Sequence, residues 1–407
     1  MPLESIATHI VSRLQSAGFI AYFVGGWVRD FLMHHPSDDI DIATNAPIDV
    51  VRTLFPKTIP VGVAFGIIIV VEESHPFEVA TFRSDHGYVD GRRPTGITPA
   101  SPQEDAKRRD FTINGMFYDP IKKELFDYVG GKKDLERKEI CAIGNPDNRF
   151  AEDRLRMMRA VRYSTRFNFT IEKKTEAAII AHAQDLLPSV AMERIWQEFK
   201  KMAQFSHFGK SLVLLYQLNL LQTIFPALKG AGIEEIHRRV KTIPEFPKKS
   251  PPIAELLELF PKSSLEELLK LCDYLKLSRE EKEFVTTCHK IESLINMPES
   301  WQEGLEKIEW ARFYAQKQSH LILEILATRL EKKERESFLE KHRARSASLH
   351  KSIERIEKKN PLVRASDLIA RGIVPGPKLG ELLIEAERIA ANSGLEDKES
   401  VLKMLLK

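Results

Sequence analysis

Apolar residues recur at helical spacing from Leu3 to Ser16 and stop just before Gly18, a residue suited to the left-handed turn that closes a helix. The period then shortens. Ile20 to Val24 is an apolar strand that runs straight into Gly25-Gly26, and a short helix follows through Arg29. A second strand is predicted over Asp39 to Ala43, and Pro47 opens a helix that Asn45 is placed to cap. Gly66 to Val71 reads as a buried strand by its β-branched run, and Phe77 to Phe82 as an alternating one. Residues 83–102, rich in Gly, Pro, Ser and charge, are expected to form a long loop.

Beyond Phe150 the strand signals fade, and i, i+3, i+4 spacing predicts helices over Phe150–Arg166, Lys173–Gln184, Met192–Ala203 and Lys210–Leu218. Prolines at 226, 244, 247, 251 and 252 punctuate the middle, and a second helical group covers Ile253 to Leu330. The charged stretch Glu331 to Lys359 suits an exposed helix or helix pair, and a last helix follows Pro375-Gly376-Pro377. The predicted fold class is an α+β head, a small mixed sheet with helices, followed by an all-α elongated arm.

Composition narrows this only a little. A chain of 407 residues suggests two to four structural units, and no window approaches the ~20 apolar residues that a membrane span needs. The N-terminus has no secretion signal, and the three cysteines, Cys141, Cys272 and Cys288, form no disulfide framework; both fit a cytoplasmic protein. The net charge of +3 is uninformative, but Arg92-Arg93, Lys107 to Arg109 and Arg154 to Arg166 gather basic residues that could serve phosphates, or simply face water.

Two constellations carry chemistry. On a strand, Asp39 and Asp41 share a face, and two such carboxylates repel unless a cation sits between them. Magnesium suits that donor set, with Glu78 the best third carboxylate. The Gly25-Gly26 turn would bring backbone N–H groups to a triphosphate, and Arg29 could reach the same phosphates.

The second constellation is the run Arg149 to Arg162 (RFAEDRLRMMRAVR). Read as one helix, it places Asp153 and Arg156 on a common face, with Arg159 and Arg162 continuing the row. An acceptor beside a donor matches the Watson–Crick edge of cytosine or adenine and mismatches uracil and guanine, at about 1–3 kcal/mol for each unsatisfied group. The plain alternative is a surface ion pair worth about 0.2–0.5 kcal/mol.

Together these residues resemble the class II tRNA nucleotidyltransferases, the bacterial CCA-adding enzyme and poly(A) polymerase family of the DNA polymerase β-like superfamily. Five segments match in order: Gly25 to Asp30 (GGWVRD) with Asp39 and Asp41; Arg108 to Asn114 (RRDFTIN); Asp127 to Asp134 (DYVGGKKD); Glu152 to Arg156 (EDRLR); and Glu193 to Ile195 with Glu198. The match is strong over about residues 1–220 and weak beyond.

The resemblance implies that Asp39 and Asp41 hold two Mg2+ ions, with Glu78 as a third catalytic carboxylate. It implies that Gly25, Gly26, Arg29 and Arg109 contact the nucleotide, and that Asp110 and Asn114 shape the ribose pocket. Asp153 and Arg156 would read the base beside Arg159 and Arg162, and Asp127–Asp134 would act as a hinge. Glu193-Arg194 could be a catalytic contact or a helix-stabilising pair. Asp90 to Pro94 would form the core of the family's flexible loop. Gly115 stands where the family commonly has Ala, a departure expected to matter little. Implied domains are a nucleotidyltransferase head (1–140), a base-selecting neck (141–205), and a body (206–330) and tail (331–407) that bind the acceptor–TΨC limb of tRNA.

The implied activity is CCA addition to the tRNA 3′ end from CTP and ATP. Partial A-adding or CC-adding enzymes and a bacterial poly(A) polymerase are the alternatives. No membrane association is expected, and monomer and weak dimer both remain open.

Overall fold

The computed structural model describes all residues except 1, 36, 89–93, 206, 299–301 and 303, and it forms two compact units, Met1–His237 and Arg238–Lys407. The first contains a seven-stranded sheet of order β3-β4-β5-β2-β1-β8-β9. Its strands are β1 (Ala21–Val24), β2 (Asp41–Thr44), β3 (Thr58–Ile59), β4 (Ile67–Glu72), β5 (His75–Thr81), β8 (Met116–Asp119) and β9 (Glu124–Asp127). All neighbours are antiparallel except β2 and β5, so the sheet is mixed, as the sequence predicts.

Helix α1 (Leu3–Ser16) buries Ile6, Ile10 and Leu14. Helix α2 (Gly26–Leu32) leaves β1 directly. Helix α3 (Ile48–Leu54) begins after Pro47 and is not capped by Asn45, whose Oδ1 instead accepts from Ile20 N at 2.7 Å.

The segment expected to be a long loop is a two-stranded ribbon of β6 (Arg83–Tyr88) and β7 (Pro94–Pro99), followed by α4 (Pro102–Arg108). Antiparallel pairing satisfies backbone groups that a Gly- and Pro-rich composition suggests are left to water. Of the implied flexible-loop core, Asp90, Gly91, Arg92 and Arg93 lie outside the described residues.

Helix α5 (Gly131–Arg137) follows β9. The Asp127 carboxylate gathers the turn between them: Oδ1 accepts from the N–H groups of Val129, Gly130 and Gly131, and Oδ2 from that of Lys132 at 2.9 Å. Next come β10 (Glu139–Ile140), α6 (Pro146–Glu152), α7 (Leu155–Phe167), β11 (Thr170–Ile171), α8 (Lys173–His182), α9 (Met192–Ala203), α10 (Phe208–Gln217) and α11 (Leu220–Ile224). The short parallel pair β10–β11 is a strand signal that the sequence past Phe150 did not betray. Leu155, Met158, Val161, Ile195 and Phe199 fill the core between these helices.

The second unit is helical. Leu265–Tyr274 and Arg279–Ile295 each begin with a Ser–Glu capping box. The charged stretch forms a helix pair, Lys332–Ser348 and His350–Glu357. The closing helix Pro377–Ser393 is followed by another, Lys398–Leu405, and the two pack Ala386, Ala390, Val401 and Leu402 with Val363 and Leu368. Among the described residues no helix is long and apolar enough to cross a membrane.

Candidate active site

The pairing Val24↔Asp41 between β1 and β2 sets the glycine turn beside the carboxylates. Gly25 has φ +70°, a conformation that only glycine adopts without strain, and a side chain there would point at Arg109 and Asp41. Across the sheet, β2 and β5 run parallel with Ile42 opposite Val79, so Asp41 at the start of β2 lies beside Glu78 in the middle of β5.

Burial, then Glu78 and Asp39, together push the Asp41 carboxyl up to about 7 against the opposing charge of Arg109. Asp39 precedes β2 by two residues and is exposed, so the pair is not the strand-borne i, i+2 pair that the sequence suggests. The three acids nonetheless crowd one another electrostatically.

These groups open onto a cleft of about 730 Å³ within the first unit. Gly25, Gly26, Arg29, Asp39, Asp41, Arg109, Asp110, Asn114, Asp153, Arg156, Arg159 and Arg162 all line it, so sequence positions 137 residues apart converge. Glu78 does not line it and acts on it through Asp41. Nine cationic side chains face five acidic ones, a balance suited to a polyanion.

The wall is a continuous polar network. Arg29, 2% exposed, donates through Nε to Asp30 Oδ1 at 2.8 Å and through Nη1 to Asn114 Oδ1 at 2.5 Å, with its guanidinium 4.6 Å from the Phe167 ring centroid. Asn114 donates onward to Asp110 Oδ1 at 3.2 Å, and Arg159 donates twice to Asp110 Oδ2. Burial alone would raise the Asp110 carboxyl; Arg159 and the Asn114 bond hold it well below the usual carboxylate range. Asp105, buried on α4, is likewise held low against its burial by Arg109 and Arg108, and so fixes Arg109. Its i, i+4 spacing to Arg109 was visible in the sequence.

Asp153 and Arg156 do not share one helix. The chain leaves helical geometry at Asp153 (φ −149°), because this carboxylate accepts from Leu155 N at 3.1 Å and so competes with backbone hydrogen bonding. Its other oxygen accepts from Arg194 Nη2 at 2.8 Å. Arg156 donates to Glu152 and to the carbonyl oxygens of Arg149 and Arg108. The two are therefore separately tethered rather than paired with each other. Arg162 pairs with buried Glu198 at 2.7 Å. Ser37, Tyr163, Lys201, Gln204 and Phe205 also line the cleft and carried no sequence signal.

Gly115 matters more than expected. A methyl group there would sit 2.7 Å from Val129 Cγ2 and 3.1 Å from Ile143 Cδ1, so alanine cannot enter unless these neighbours move. At Gly131 the same group would lie 2.2 Å from the Thr112 carbonyl oxygen.

Sheet, glycine turn and crowded carboxylates resemble the head of a nucleotidyltransferase. Residues 21–141 match the family model "Poly A polymerase head domain", and residues 168–231 match "Probable RNA and SrmB- binding site of polymerase A". The CCA-adding enzyme of Bacillus subtilis is 45% identical over 219 residues, 54% of this chain and 55% of that one. That of Streptococcus mutans is 42% identical over 207 residues, 51% of each. These matches thus span about half the length of the curated relatives.

The crystal structure of the Bacillus stearothermophilus CCA-adding enzyme in complex with CTP aligns with a TM-score of 0.81 at 29% identity, covering 100% of this chain and 97% of that one. The Thermotoga maritima CCA-adding enzyme complexed with tRNA_CCA shares the fold, with a TM-score of 0.67 at 22% identity, over 99% and 94% of the chains. The chain is thus similar to the CCA-adding enzymes, by sequence over about half of it and by fold over all of it.

Proposed function

We propose that this protein adds CCA to the 3′ end of tRNA from CTP and ATP. The 3′-hydroxyl oxygen of the RNA attacks the α-phosphorus of the nucleotide, the P–O bond to the β-phosphate breaks, and pyrophosphate leaves. The observation that carries this reading is one cleft holding both the repelling carboxylates and the separately tethered Asp153 and Arg156.

The carboxylates fit a divalent cation. Asp41 is destabilised as an anion by burial, Glu78 and Asp39, and a cation would relieve that repulsion. Two Mg2+ ions on Asp39 and Asp41, when bound, would supply charge stabilisation to the attacking and leaving oxygens. The rest falls to the chain itself. The Gly25-Gly26 turn gives its backbone to the triphosphate, and Arg109, braced by Asp105, meets its charge. Arg29 holds Asn114 and Asp110 in place for the ribose. Asp153 accepts from the exocyclic amine of C or A, and Arg156 donates to the ring nitrogen. Arg194 and Glu152 set their directions, while Arg159 and Arg162 complete the wall.

We further assign base selection to 141–205 as neck and tRNA contact to 206–330 and 331–407 as body and tail, where binding by shape and phosphates needs little base reading. The function is tested with three tRNA forms, lacking CCA, lacking only the terminal A, and complete, each given CTP and ATP separately. Expected are two additions from CTP to the first, one from ATP to the second and none to the third. Failure of CTP on the first form marks an A-adding enzyme; failure of ATP on the second marks a CC-adding one. Long A tails would mark a poly(A) polymerase.

A further inference from the structure

The second unit contains a cleft of about 520 Å³ that the catalytic reading does not use. It is framed by the helices Lys307–Tyr314, Lys332–Ser348, His350–Glu357 and Pro377–Ser393. Its charges are unevenly matched. Lys351 is neutralised by Glu396 at 2.5 Å, and Arg355 by Glu387 at 3.0 Å, with Ser352 also accepting from Arg355.

Arg345 has no such partner. Its guanidinium lies 3.9 Å from the Trp310 ring centroid and hydrogen-bonds the Tyr314 hydroxyl, a neutral partner, and among the described residues no carboxylate pairs with it. Its Nη1 is buried without a hydrogen-bond acceptor. Lys307 and His350 stand exposed on the same lining, and His350 Nδ1 donates to the Ala347 carbonyl at 3.1 Å, which leaves Nε2 free of that bond.

A half-buried guanidinium facing a cleft without a counter-anion is a site short of one negative charge. The flat Trp310 face behind it fixes the fork in one plane. An acceptor with several oxygens would meet the Arg345 fork, Lys307 and the rim together, which is the chemistry of a phosphate group.

We propose that this cleft binds a phosphate group through Arg345 and Lys307, with Trp310 as the platform that orients Arg345. The phosphate belongs either to an RNA backbone or to a free nucleotide or inorganic phosphate. The site lies within the segments assigned above to tRNA contact, so its RNA-backbone branch rests on that reading, while its free-phosphate branch and the catalytic cleft are independent of each other.

The test uses the full chain labelled with [15N]tryptophan. It has four Trp residues, and the Trp310 indole signal is assigned with Trp310→Phe. Titrating inorganic phosphate is expected to move that signal saturably. In Arg345→Gln and in Lys307→Glu, each checked for unchanged melting, the phosphate affinity should fall at least ~10-fold. If the Trp310 signal stays still, whether or not that of Trp27 in the first unit's cleft moves, or if both variants titrate like the wild type, the proposal is overturned.

Competition then separates the sources. Displacement by tRNA, with a tRNA affinity whose salt slope is shallower by about one unit in Lys307→Glu, identifies an RNA phosphate. Displacement by CTP or ATP alone identifies a free nucleotide. In Asp41→Asn the Trp310 shift should persist although incorporation is lost, so failure of the catalytic reading and failure of this one are told apart.

Discussion

At the scale of single residues, Asp41 is the most exposed to test. Burial, Glu78 and Asp39 all disfavour its charge, the environment that the proposed cation would relieve. Asp41→Asn should lower incorporation on the order of 10³-fold or more while CTP binding, read by equilibrium dialysis, stays within a few-fold. Near-normal turnover would remove the metal assignment. Arg194 offers a second test, because it donates to Asp153. Arg194→Ala should blur selection against UTP and GTP in a four-nucleotide assay by roughly 10-fold, and Arg194→Lys should restore part of it. Unchanged selectivity would mean that Asp153 holds its direction without help. The sequence made Asp153 and Arg156 legible as acceptor and donor, but not their separate tethers. Arg194 lies 41 residues from Asp153, and only packing of α9 against α7 brings the two together.

At the scale of elements, the turn between β9 and α5 depends on one carboxylate that accepts four backbone N–H groups. Asp127→Asn presents an amide donor to at least one of them, at a cost of about 1–3 kcal/mol, readable as a lower urea midpoint. An unchanged midpoint would show that water serves those groups equally well. Elements with strong periodicity were legible: α1 and the β4 and β5 runs sit where the hydrophobic pattern predicts. The β6–β7 ribbon was not, because Gly, Pro and Ser carry no alternation and the pairing partner alone decides the strand. The break between α6 and α7 was hidden for the opposite reason. Helical periodicity continues through it, and a single side chain accepting from Leu155 N overrides the local propensity.

At the scale of the whole molecule, stability carries a marked pH term from the second unit. Burial raises Glu255 to about 8 from an ordinary 4.5. Between those values the folded state binds more protons than the unfolded one, so this group's contribution falls as pH rises through about 4.5 to 8 and is level beyond. Glu255→Gln should therefore melt higher than the wild type at about pH 8, by on the order of 1–3 kcal/mol, and lose that advantage near pH 5. A constant difference across the range would contradict the assignment. Gly115 bears on how the molecule can be altered. Val129 and Ile143 occupy the volume that a methyl group at 115 would claim, so the three positions form a set of interlocked choices. Gly115→Ala should therefore lower the melting temperature. Trimming Val129 to alanine in the same protein should recover most of that loss, and such paired exchange is the route by which related chains could drift between the two solutions.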